Sequence, residues 1–162
     1  GQFVAKFRYL GENRLAKIPS KKDQLSAEQK KWWQEFAKKH LKITLEGILE
    51  TFGDELYLVP LGLPDLRKVK IARNGLHLGT FKKNRFEPSF ALGLALKPSE
   101  VKETVSITPV DFVHYVAGET VQLKESHPNG WYQVLVEGNG LGFAKVTGQT
   151  LKNFYPKGLR FR

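Results

Sequence analysis

The sequence predicts an α+β chain of two small, mostly-β subdomains with short helices, the C-terminal one a small β-barrel. Three observations carry this. Short strand-like runs are separated by Gly, Pro and Asn turns. Short capped helical stretches interrupt those runs. A polar stretch at 99–107 divides two such sets of elements. At 162 residues the chain has room for one compact domain or two small ones.

The elements follow in order. Residues 2–9 alternate, with Phe3, Ala5, Phe7 and Tyr9 on one face and Gln2, Lys6 and Arg8 on the other, as in a strand with one wet face. Residues 11–25 read as a polar loop. Ser26 with Gln29 three positions later makes a capping box. Trp33, Phe36, Ala37 and His40 then form one apolar stripe of a helix, while Lys31, Glu35 and Lys39 have ion-pair spacing on another face. Trp32 and Trp33 either stack bases or dock this helix on a core. "ITLEGILETF" and "ELYLVP" are strand candidates joined at Gly53-Asp54. "KVKIARNGLHLGTF" (68–81) reads as a hairpin around Asn74-Gly75. Ser89 caps a short helix that is apolar nearly all round and so is expected to be buried; Pro98 stops it. In 108–118, Thr108 caps a helix with Pro109 in its first turn and Gly118 at its end. "TVQLKE", "WYQVLVE" and "LGFAKV" follow as short strands split by turns at "HPNG" and "GNG".

Composition narrows the function. There is no Cys, which excludes a disulfide framework, a Cys-based zinc site and a thiol nucleophile within this chain. No apolar run approaches the ~20 residues of a membrane span, and no signal peptide opens the chain, so a cytoplasmic protein with no membrane partner is expected. There is no Met either, and the chain opens directly in strand-like sequence, which suggests a piece of a longer protein. The four His lack helical metal-binding spacing, so no metal site is expected. No phosphate-binding loop, dinucleotide fingerprint, nucleophile elbow or paired-carboxylate site stands out. "GNGLG" (138–142) opens no helix and reads as a turn. Neither catalytic nor cofactor-binding residues are expected here.

The net charge of +10 favours polyanions, against the plainer reading of a solvated basic surface. Two stretches concentrate it. Residues 66–86 hold seven Lys or Arg and no acid. Within or beside that hairpin, Arg73, His77, Lys82, Lys83, Asn84 and Arg85 are candidate phosphate contacts, although His77 reads equally as an ordinary strand residue. Residues 142–162 hold five basic residues and no acid, and the aromatics Phe143, Phe154 and Tyr155 sit among the charges. Here Lys145, Lys152, Lys157 and Arg160 are candidate phosphate contacts and Asn153 a hydrogen-bonding one. Tyr155 is a candidate for stacking on unpaired bases or for packing in a turn; Phe143 reads as core.

"IARNGLHLGTFKKNRFEPSFALGLAL" (71–96) and "LGFAKVTGQTLKNFYPKGLR" (141–160) resemble the C-terminal region of RsmF-type ribosomal RNA methyltransferases, of the Nol/Nop/Sun family. "KKNRFEPS" and "LKNFYPKGLR" carry most of the match. Phe143 stands where the family commonly has Trp, and Phe90 and Phe154 where it commonly has His. The resemblance implies three parts: 1–41 as the tail of a methyltransferase domain and a linker helix, 42–104 as a first small C-terminal domain, and 105–162 as a PUA-like RNA-binding domain. It implies that the parent enzyme binds S-adenosylmethionine in an N-terminal Rossmann-like domain and methylates carbon 5 of a cytosine through a Cys. This chain, with its Cys and cofactor loop absent, would position ribosomal RNA for that domain. Two rivals remain open. "NGWYQVLVEGNGLGFAKV" also looks like a bacterial SH3-type module that binds peptides or cell-wall fragments, and a stand-alone RNA-binding protein would show the same basic stretches.

Overall fold

The computed structural model describes residues 23–62 and 75–161. The strand expected over 2–9 and the hairpin tip at Asn74 lie outside them. Helix α1 (Ala27–His40) starts where the capping box places it: the Ser26 hydroxyl accepts from the Gln29 N–H at 3.2 Å, and the Gln29 side chain accepts from the Ser26 N–H at 3.0 Å. Its stripe buries Trp33, Phe36 and His40. Trp33 and Phe36 both meet Phe86, at 5.2 and 5.1 Å, and Trp32 rests on Phe81 at 6.2 Å. The paired tryptophans therefore dock the helix and do not form a free stacking surface. The ion pairs expected along α1 do not close. Among the described residues the pairs are His77–Glu55, Arg85–Glu87 and His114–Glu119. An exposed pair gains too little to hold two long side chains in one geometry.

Strands β1 (Ile48–Phe52), β2 (Glu55–Val59), β3 (Leu76–Lys82) and β4 (Arg85–Pro88) form an antiparallel sheet in chain order. β1 is shorter than the apolar run that suggested it; Ile43, Thr44, Leu45 and Gly47 line a cleft against α1 instead. Helix α2 (Phe90–Ala95) is capped by Ser89, whose hydroxyl accepts from the Leu92 N–H and donates to the His77 carbonyl. Leu92 is fully buried, but Leu94 is 52% exposed. α2 packs against β3 and the later strand Asn139–Lys152, and Leu94 is on the side that neither strand covers.

The second sheet joins β5 (Thr104–Ser106), parallel to β6 (Val121–Val136), with β7 (Asn139–Lys152) antiparallel beyond it. Helix α3 (Pro109–Ala117) lies between β5 and β6, with its capping box at Thr108 and Asp111 and a left-handed Gly118 at its end. "HPNG" is not a turn. It sits inside β6, where the register against β7 shifts between Gln122 and His127 and again before Gly130. Bulges absorb the extra residues, and side chains replace ladder bonds: Asn129 accepts from the Gly148 N–H, and Tyr132 donates to the Pro128 carbonyl.

Two apolar clusters result. Tyr132, Val134, Ala144 and Val146 face the second one, with Tyr115 and Leu151. Trp131 and Phe143, on the opposite face of the same hairpin, pack with Phe36 and Leu92 in the first. The fully buried Gln133 lies on that face too, and its amide donates to the Gly93 and Leu96 carbonyls, both at 2.8 Å. These are orphan carbonyls at the end of α2. One hairpin thus serves both cores.

Candidate nucleic-acid interface

β3 and β4 close on the pair Lys82↔Arg85, one step beyond the buried pair Phe81↔Phe86. Side chains alternate along a strand, so with both rings inside, Lys82 and Arg85 face solvent. Lys83 and Asn84 make the turn. Asn84 takes φ 57°, a left-handed conformation that Asn tolerates better than most residues. All four are exposed. Arg85 Nε donates to Glu87 at 2.9 Å, which partly matches its charge. Among the described residues no carboxylate pairs with Lys82 or Lys83.

His77 does not join this cluster. Its Nε2 lies 2.5 Å from a Glu55 carboxylate oxygen that also accepts from Thr80, and its ring lies 5.0 Å from Tyr57. A phosphate at that nitrogen would have to displace a carboxylate. Arg73 lies outside the described residues, as do Arg67, Lys68 and Lys70.

At the C-terminal end, Lys145 on β7, Lys152 at the end of β7 and Lys157 in a short 3-10 turn (Lys157–Leu159) are all exposed. The other three candidates are built into the fold. The Asn153 amide donates to the Tyr115 and Glu119 carbonyls at 2.5 and 2.9 Å, and its oxygen accepts from the Tyr155 N–H. The Tyr155 ring is half-buried, edge-on to Phe90 at 5.2 Å and to Tyr115 at 6.0 Å. Arg160 donates to the Tyr155 carbonyl and lies over Gly118, where an added Cβ would strike the guanidinium. Asn153 and Tyr155 hold the tail in place through these contacts. Arg160 keeps its charge near the surface and directs its Nε and Nη2 donors at the Tyr155 carbonyl, both at 3.4 Å. Burial also pushes the Tyr115 hydroxyl up to about 12, so it stays protonated at neutral pH.

Two features escaped the sequence reading. Phe154 is 42% exposed and lies edge-on to Trp131 at 4.8 Å. Trp131 is the cross-strand partner of Lys145. Separately, a cleft of about 740 Å³ between α1 and residues 41–49 is lined by Lys30, Lys38, Lys42 and Lys102, with Asp23 the acid among its lining residues. Lys102 is anchored there by its bond to the Lys38 carbonyl. Burial lowers the nearby His40 to about 4, and Lys39 and Lys102 reinforce that shift.

Comparison with known proteins gives two family matches, which together run from residue 35 to residue 161 apart from a short gap. Residues 35–96 match the family of the RsmF rRNA methyltransferase first C-terminal domain, and residues 102–161 match the methyltransferase RsmF PUA domain. This chain is an RsmF-type C-terminal region. Ribosomal RNA small subunit methyltransferase F of Shewanella loihica is 29% identical to it over 121 residues, 74% of this chain and 24% of the relative. The aligned part thus spans about a quarter of that relative's length. Within this RsmF-type region, the β3–β4 turn falls in the stretch that matches the first C-terminal domain. Lys145, Lys152, Lys157 and Phe154 fall in the stretch that matches the PUA domain.

Proposed function

We propose that this chain holds ribosomal RNA for the methyltransferase domain of its parent enzyme. The observation that carries the reading is the set of exposed, carboxylate-poor lysines on the β3–β4 turn and on β7 and the segment after it, within a chain that matches RsmF C-terminal and PUA domains. Phosphate contacts from Lys82, Lys83, Lys145, Lys152 and Lys157 supply affinity and register. The chain has no Cys, so the nucleophile implied by the family resemblance, and with it the S-adenosylmethionine site, belongs to another part of the parent. The partners are then ribosomal RNA and the parent's own methyltransferase domain, in the cytoplasm. A cytosine flipped out of its stack would be presented to that domain.

Two titrations of the 162-residue chain test this. A labelled small-subunit ribosomal RNA fragment should bind without cofactor, and S-adenosylmethionine alone should give a flat calorimetric trace. Absence of RNA binding at low salt would overturn the proposal, and saturable cofactor binding would contradict the division of labour.

A further inference from the structure

The segment Asn153–Tyr155 is built so that one of its three side chains points outward. Asn153 is locked by its amide bonds to two carbonyls, of Tyr115 and Glu119. Tyr155 is fixed by its N–H bond to Asn153 and by its ring between Phe90 and Tyr115. With its neighbours tied inward, Phe154 stays 42% exposed at the surface. Its ring meets Trp131 at 4.8 Å with the planes 66° apart, so the two form an edge-to-face corner and not a closed stack. Trp131 packs in turn on the first core cluster, which stiffens the corner. Its cross-strand partner Lys145 is exposed on the same face of the hairpin.

We infer that the Phe154–Trp131 corner is a stacking site for one unpaired nucleobase of RNA, with Lys145 and Lys152 beside it for the flanking phosphates. This rests on the RNA-binding reading above and gives it a residue and a substrate class, single-stranded RNA. An aromatic face offered next to cations suits bases, since every base has a π-face and carries a phosphate with it. A rigid platform also loses little entropy when a base lands on it. Tyr155, which sequence reasoning selected for stacking, is the anchor of this site and not its platform.

The test uses the 162-residue chain, a fluorescein-labelled single-stranded RNA and a duplex of the same sequence. Phe154→Ala should weaken single-strand binding roughly tenfold or more. The salt dependence and the duplex affinity should stay unchanged. Phe154→Trp should restore single-strand affinity. An unaltered thermal transition shows that the loss is not unfolding. If the wild type binds RNA and Phe154→Ala binds it equally well, the stacking site is wrong and the RNA-binding reading stands. If the wild type binds neither RNA, both fall. Undiminished RNA affinity joined to weaker association with the parent's methyltransferase domain would reassign the ring to a protein contact and overturn the proposal.

Discussion

His40 shows at the scale of one residue what its place on a helical stripe costs. It is 5% exposed, its ring lies 4.8 Å from Phe36, and its Nδ1 has no hydrogen-bond partner. Burial first, then Lys39 and Lys102, lowers it to about 4 from an ordinary 6.5. The fold therefore holds His40 neutral, while the unfolded chain takes up a proton below 6.5. The stability from this group is complete above pH 6.5 and is lost as pH falls towards 4. At 1.36 kcal/mol per pH unit the shift is worth at most about 3 kcal/mol. His40→Leu should flatten the stability profile between pH 6.5 and 4 relative to wild type, measured by urea unfolding at several pH values. Parallel profiles would contradict the assignment. Gln133 is the second such residue. Its amide satisfies two carbonyls at the end of α2, so Gln133→Leu strands both. A loss of roughly 2–4 kcal/mol is expected: two stranded carbonyls at ~1–3 kcal/mol each, less the relief of removing the unpartnered Gln133 Oε1. An unchanged urea midpoint would show that water or rearrangement replaces it.

At the scale of elements, α2 and β7 approach so closely that only glycine fits between them. A Cβ on Gly93 would lie 2.4 Å from the Gly142 Cα, and Gly142 itself has φ 111°. Gly93→Ala must push backbone against backbone, and overpacking of this kind costs about 1–3 kcal/mol. It should also loosen Phe90 from Tyr155 and so the Phe154 corner, lowering RNA affinity more than stability alone explains. Native-state hydrogen exchange of the Asn153–Tyr155 amides would register that loosening; unchanged exchange would contradict it. The same scale shows which features are legible in sequence. The helix starts at Ser26, Ser89 and Thr108 were readable because capping is local chemistry, written in three or four consecutive residues. The strand boundaries were not. Pro128 and Gly130 look like a turn, yet β7 opposite them keeps them in β6, and pairing is a property of two segments. The packing of Tyr155, open between stacking and a turn, and of Asn153 is not legible locally, because their partners Phe90, Tyr115 and Glu119 stand 34 or more positions away along the chain. The exposure of Phe154 follows from those partners and has no local signal. The lysine cleft left a faint one, ten basic against four acidic residues in 1–41, hidden by spacing that suggested ion pairs on α1.

At the scale of the molecule, the +10 charge is not spread as a featureless coat. Part of it is spent inside the fold, as at Arg160 over Gly118, and part is matched, as at Arg85 with Glu87. Lys145, Lys152 and Lys157 remain exposed on β7 and the segment after it, without a paired carboxylate among the described residues. If these three touch phosphates of single-stranded RNA, each contributes about −0.7 to the slope of log affinity against log salt. The most direct measurement is that slope, for wild type and for Lys145→Ala, Lys152→Ala and Lys157→Ala combined. The slope should become shallower by roughly two, with a similar loss on unrelated RNA sequences, because phosphate contacts carry little sequence information. Equal affinity and an equal slope for the two proteins would reduce these lysines to a solvated surface and contradict the RNA-holding role.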